Sequence, residues 1–148
     1  MMNTHQTTTN LLRTILHTAS LTQAVGTINE DITLAGHLRT LLDASGLSIS
    51  DLTRRILVSK AFTYQIFDGT RRPGRDVLLR IAFALGLSLE GTQRLLAVAQ
   101  RGTLYPRVRR DAAVIFALQH KYTLVEADEA LRSIGERPLL DTSAAGRE

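Results

Sequence analysis

LSISDLTRRILVSKAFTYQIFDGTRRPGRDVLLRIAFALGLSLE, residues 47–90, is the stretch that decides the fold. Ser48 is followed three residues later by Asp51, a pattern in which hydroxyl and carboxylate each take a free backbone N–H at a helix start. A helix is predicted from there to about Arg55. After Ile56, Leu57 and Val58, Ser59 is placed to cap a second helix, KAFTYQIFD, which Gly69 ends. Pro73 in the following TRRPG loop stops helical continuation. The next helix, RDVLLRIAFAL, offers Val77, Leu78, Ile81, Ala82 and Leu85 to a core and ends at Gly86, after which Ser88 caps another. Two short capped helices therefore stand three or four residues apart, and the second runs into a basic loop.

The same signals continue on both sides. Upstream, LAGHLRTLLDAS carries Leu34, Leu38, Leu41 and Leu42 on one face and closes at Gly46. Downstream, LEGTQRLLAVAQR is closed by Gly102, and Pro106 stands where first-turn prolines stand, ahead of RVRRDAAVIFALQH. Thr123 with Glu126 forms a capping box for a last helix that turns Leu124, Ala127, Leu131 and Ile134 inward and stops at Gly135. Between Asn10 and about Val25, Leu11, Leu12, Ile15, Leu16, Ala19 and Ala24 lie near helical spacing and predict a short amphipathic helix. Residues 1–10 and the tail DTSAAGRE are polar and expected to be loose. No stretch alternates as a strand does. The expectation is an all-α chain: an N-terminal arm over 1–32, a five-helix domain over 33–102, a helical pair over 103–140 and a tail over 141–148.

From about Leu38 to Leu89 the sequence resembles, without a gap, the DNA-binding domain of lambdoid-repressor and Xre-type helix-turn-helix transcriptional regulators. Gly46-Leu47-Ser48, Leu52, Val58-Ser59, Ile66, Gly69, Pro73 and Ala82-Leu85-Gly86 carry the likeness. It implies a lambda-repressor-like five-helix domain whose second capped helix enters the major groove of double-stranded DNA. The base-facing positions are then Lys60, Ala61, Tyr64 and Gln65. Lys60 can donate to guanine O6/N7, Gln65 can pair with adenine, and Ala61 can touch a thymine methyl. Ser48, Ser59, Arg71, Arg72 and Arg75 are the phosphate-contacting candidates. Around them, Arg54, Arg55, Lys60, Arg71, Arg72, Arg75 and Arg80 face only Asp68 and Asp76 in sequence, a local excess above the net +4 of the chain.

Three positions depart from the family pattern. Ile49 stands where a phosphate-gripping Gln is common. Leu42 and Phe67 replace an Arg–Glu pair, a double change that reads as a coherent apolar alternative, because exchanging a whole ion pair for packed hydrophobes is often neutral or stabilising. Thr63 takes an inward position usually held by Ile or Val, leaving space for Phe62 or Phe67. Exposure of both Ile49 and Phe62 would point instead to a protein-interaction adaptor that keeps the fold without binding DNA.

Composition narrows the classes. The 148 residues are 44% hydrophobic but only 5% aromatic, without Trp, so the core must come from aliphatic side chains. There is no Cys, hence no disulfide or thiolate zinc site. His5, His17, His37 and His120 are scattered, and no catalytic spacing, metal site or cofactor motif is present, so no enzyme is expected. With no apolar run of membrane-spanning length and no signal-peptide start, the cytoplasm is the expected compartment. A homodimer on two half-sites is expected, built by the Leu11–Leu16 helix or by the C-terminal pair through Val114, Ile115, Phe116 and Leu118 with Leu124, Leu131 and Ile134. Arg107, Arg109 and Arg110 either extend the phosphate face or pair with surface acids.

Overall fold

The computed structural model describes residues 8–26 and 33–140. The looseness expected at 1–7 and 141–148 therefore concerns residues outside this range. Every regular element among the described residues is a helix. The chain divides into two units, residues 1–33 and residues from Leu34 onward.

The first unit holds α1 (Thr8–Leu16) and α2 (Leu21–Gly26), which pack on each other. A single helix was expected over Asn10–Val25. The break comes from short polar side chains that compete for the backbone. The Thr18 hydroxyl donates to Ile15 O (2.8 Å), and Ser20 Oγ accepts from Gln23 N (3.1 Å) to start the next turn. Residues 8–10, read as loose, form the first turn of α1.

The second unit contains α3 (Leu34–Ser45), α4 (Ile49–Ile56), α5 (Lys60–Asp68), α6 (Arg75–Ala84), α7 (Leu89–Val98), α8 (Arg109–Gln119) and α9 (Leu124–Ser133). Four expected caps form. Ser48, Ser59, Ser88 and Thr123 each accept a backbone N–H with the side-chain oxygen, and Ser48–Asp51 and Thr123–Glu126 are complete capping boxes.

α6 is the hub, packed on α4, α7 and α9. All seven residues from Val77 to Phe83 are buried, so this helix has no solvated face in its middle. Leu85, read as core, is half-buried, because it stands at the exit where Gly86 adopts φ 66° and Leu87 N returns to Ala82 O. Leu42 and Phe67 lie in one core cluster, 5% and 1% exposed, and Thr63 is fully buried beside Phe62 and Phe67. The apolar replacement of an ion pair is thus packed.

Two boundaries differ from expectation. α7 ends at Val98, before Gly102, with Gln100 left-handed at φ 57° and Arg101 N closing on Leu96 O. Pro106 occupies the second position of a turn closed by Val108 N and Tyr105 O (3.0 Å), so α8 starts only at Arg109. The C-terminal pair extends the core through Val114, Ala117, Leu118, Leu124, Ala127 and Leu131.

Candidate nucleic-acid interface

The site begins at the turn joining α4 to α5. α4 ends on Leu57 in the left-handed region (φ 56°, ψ 44°), a conformation that a Cβ resists and Gly usually takes. Its N–H bonds Thr53 O, and Val58 leads into Ser59. Ser59 Oγ accepts from Phe62 N (3.1 Å), while its carbonyl accepts the Thr63 hydroxyl (3.1 Å). The start of α5 is therefore held twice.

Along α5 the two faces separate. Phe62, Thr63, Ile66 and Phe67 are buried; Lys60, Ala61, Tyr64 and Gln65 are exposed. These four share one face by helical spacing, and Lys60 Nζ lies 5.9 Å from the centre of the Tyr64 ring. The four side chains named from sequence are thus brought together on an accessible surface. Ile49 and Phe62 do not form an exposed apolar patch, since Phe62 is buried and Ile49 packs half-buried against the core.

Gly69 closes α5 at φ 85°, where a Cβ would also meet the Cβ of Ala35 at 3.7 Å. Thr70 N and Arg71 N both return to Gln65 O (3.1 Å each), turning the chain into the basic loop. The Asp68 carboxylate accepts from the Thr70 hydroxyl (2.6 Å) and N–H (2.9 Å), and those two bonds hold its pKa below the ordinary value. At the head of α4, the Ser48 N–H and then the Ser48 hydroxyl lower Asp51 in the same way. Ser48 and Ser59 are exposed, and each capping hydroxyl oxygen accepts a backbone N–H.

The basic residues divide into different roles. The Arg71 guanidinium lies 4.8 Å from the Phe62 ring centre, and exposed Arg72 donates to Ala99 O (3.0 Å). Arg75 turns away from the loop: Nη1 and Nη2 grip the two oxygens of Asp111 (2.8 Å each), while Nε and Nη2 donate to Gly102 O and Thr103 O. Arg54 pairs with Asp51, and Arg80 is buried at 2% exposure. The sequence cluster of seven cations is therefore not one surface. Arg110 pairs with Asp76 and Arg109 with Glu136, while Arg107 is exposed and makes no ion pair among the described residues.

One contributor escaped the sequence reading. Arg101 Nε donates to Pro73 O (3.1 Å), which with the Arg72 bond ties the basic loop to the end of α7. A pairing 28 residues apart leaves no local signal.

Residues 33–95, the span from the start of α3 into α7, match the family model of a helix-turn-helix domain. The chain contains a helix-turn-helix domain. Comparison with curated proteins and with solved structures found no match. In the helix-turn-helix domain, α4 and α5 are the paired helices, and such a domain implies DNA binding. Among the described residues no helix is long and apolar enough to cross a membrane.

Proposed function

We propose that the protein is a sequence-specific, double-stranded-DNA-binding transcriptional regulator, acting in the cytoplasm as a repressor, with α5 in the major groove. One observation carries this reading: Lys60, Ala61, Tyr64 and Gln65 occupy the exposed face of α5 while Phe62, Ile66 and Phe67 of that helix are buried. Such a face suits base edges, which offer polar groups and thymine methyls in one plane. Ser48, Ser59, Arg71 and Arg72 surround it as phosphate contacts. Arg75, also a candidate from sequence, is engaged with Asp111 and supports the loop from behind.

A repressor needs only to occupy a site overlapping a promoter. Four base-facing side chains read few base pairs, so we place two copies on half-sites about 34 Å apart. The exposed Leu12, Leu16 and Leu21 of the first unit supply apolar surface for a second copy. In the C-terminal pair, Val114, Leu118, Leu124 and Leu131 are already buried within one chain.

Fluorescence anisotropy with the protein's own promoter region and a random duplex, across a salt series, tests the reading. Tight, salt-dependent binding that favours the promoter is expected. Absence of binding to either duplex at low salt overturns it.

A further inference from the structure

We propose that the groove between α4, the end of α6 and the α8–α9 turn is a binding site for a small amphipathic carboxylate. It shares no residue with the exposed face of α5, so it stands or falls apart from the DNA reading. The groove encloses about 470 Å³, inside the range of roughly 300–1,000 Å³ in which proteins hold small organic ligands.

Its lining has two characters. Phe83, Leu85, Leu87 and Leu118 provide an apolar floor, and Arg55 and Lys121 stand over it. No carboxylate among the described residues lines the groove. Among the described residues Arg54, Arg75, Arg109, Arg110, Arg132 and Arg137 pair with acids, and Arg55 and Lys121 are not in that set. Arg55 makes a long contact, Nη1 to Ala84 O at 3.5 Å, its charge also acts on Asp51, and among the described residues Lys121 makes no ion pair. Of the α6 carbonyls at this end, Ala82 O is engaged by Leu87 N and Phe83 O by Gly86 N, and Ala84 O takes the long Arg55 contact.

The wall beside Lys121 is pre-positioned. The Tyr122 ring meets Phe116 edge-on at 5.9 Å, and Phe116 stacks on His120 at 3.9 Å. Lys121 itself is fixed by a left-handed turn at φ 56°, with its N–H on Leu118 O. Glu126, the acid of the α9 cap, holds Thr123 N at 2.9 Å and is not part of the lining. An apolar floor under two cations that no carboxylate of the lining meets, with Tyr122 alongside, selects a ligand with an apolar body and one anionic head. A neutral apolar molecule leaves the cations unanswered, and an inorganic anion leaves the floor unfilled.

The test titrates the ¹⁵N-labelled full chain with octanoate, 1-octanol and octylamine, followed by amide chemical shifts. Octanoate is expected to shift Arg55, Leu85, Leu87, Lys121 and Tyr122 saturably, with affinity at least about tenfold above that of octanol. Lys121→Gln and Arg55→Gln, checked for an unchanged amide fingerprint, should each weaken octanoate about tenfold and leave octanol unaffected. Lys121→Arg should restore binding. Equal affinity for the three probes, preference for the amine, shifts centred elsewhere or no saturable shift would each overturn the assignment.

Discussion

At Arg80 the protein buries a guanidinium in the middle of its hub helix, and the reason lies at the ends of two other segments. Nε donates to Leu139 O (2.7 Å) and Nη1 to Ile56 O (3.1 Å). Ile56 ends α4, where carbonyls lack helical partners. Arg80→Met fills similar space but leaves two buried carbonyls short of donors, at about 1–3 kcal/mol each. Removing a buried charge recovers some desolvation energy in return. The carbonyl term should win, giving a net loss of about 2 kcal/mol in urea unfolding; unchanged or raised stability would mean that the charge is the larger burden. On the DNA-facing side, Gln65→Ala should relax preference at one base position. Arg71→Ala should weaken binding to every sequence and reduce the salt slope by about one. Competition anisotropy with single-base operator variants separates the two effects. The exposed positions of α5 were legible in the sequence because a 3.6-residue period sorts them from Phe62, Ile66 and Phe67. Arg80 was not: the apolar residues on either side of it, Val77 to Phe83, mark a buried stretch, but nothing local announces the carbonyls of Leu139 and Ile56 that receive its guanidinium.

Elements in this chain are set mostly by their first residue. Ser48, Ser59, Ser88 and Thr123 were readable as caps because an N-cap needs only a side-chain oxygen and the backbone two or three residues on. The ends were harder where tertiary bonds decide them. Gly102 looked like the stop of α7, yet the chain turns at Gln100, where Arg101 reaches Pro73 O and Arg72 reaches Ala99 O. Likewise the turn between α4 and α5 uses Leu57 in a left-handed conformation, which no residue preference announces. The cap of α5 carries a direct consequence. Ser59→Ala removes the acceptor for Phe62 N and should destabilise the domain by about 1 kcal/mol. Ser59→Asp keeps an acceptor and should restore that stability in thermal melts. It should nonetheless weaken DNA binding, because a carboxylate would then face phosphate. Equal DNA affinity for Ser59→Asp and the parent would remove Ser59 from the phosphate-contacting set.

Across the whole second unit, the same dipeptide, Arg-Asp, appears at 75–76 and at 110–111, and the two copies pair crosswise. Arg75 holds Asp111 and Arg110 holds Asp76, with Arg137 adding to Asp76 and Tyr105 N to Asp111. This clasp joins the starts of α6 and α8, so the C-terminal pair is fastened to the helix that follows the basic loop. Burial pushes the Asp111 carboxyl up. The Arg75 hydrogen bonds, the Tyr105 N–H and the charges of Arg75 and Arg110 more than reverse this, leaving its pKa below the ordinary 3.8. A lowered acid stabilises the fold above its unfolded value, and that contribution is lost as pH falls through the lower folded value. Asp111→Asn should therefore cost about 3 kcal/mol at pH 7, near the lower limit for breaking a buried pair. It should also flatten the dependence of stability on pH below about 4. Urea titrations of both proteins at neutral and acid pH measure this, and parallel pH profiles would rule out the clasp as an acid-sensitive element. The same variant frees Arg75, which lies directly after the Arg71–Gly74 loop. If Asp111 is what withdraws that guanidinium from phosphate, the salt slope of DNA binding should steepen by about one in Asp111→Asn. An unchanged slope would show that the loop geometry, fixed by Arg72 and Arg101, keeps Arg75 off the DNA without help from its partner.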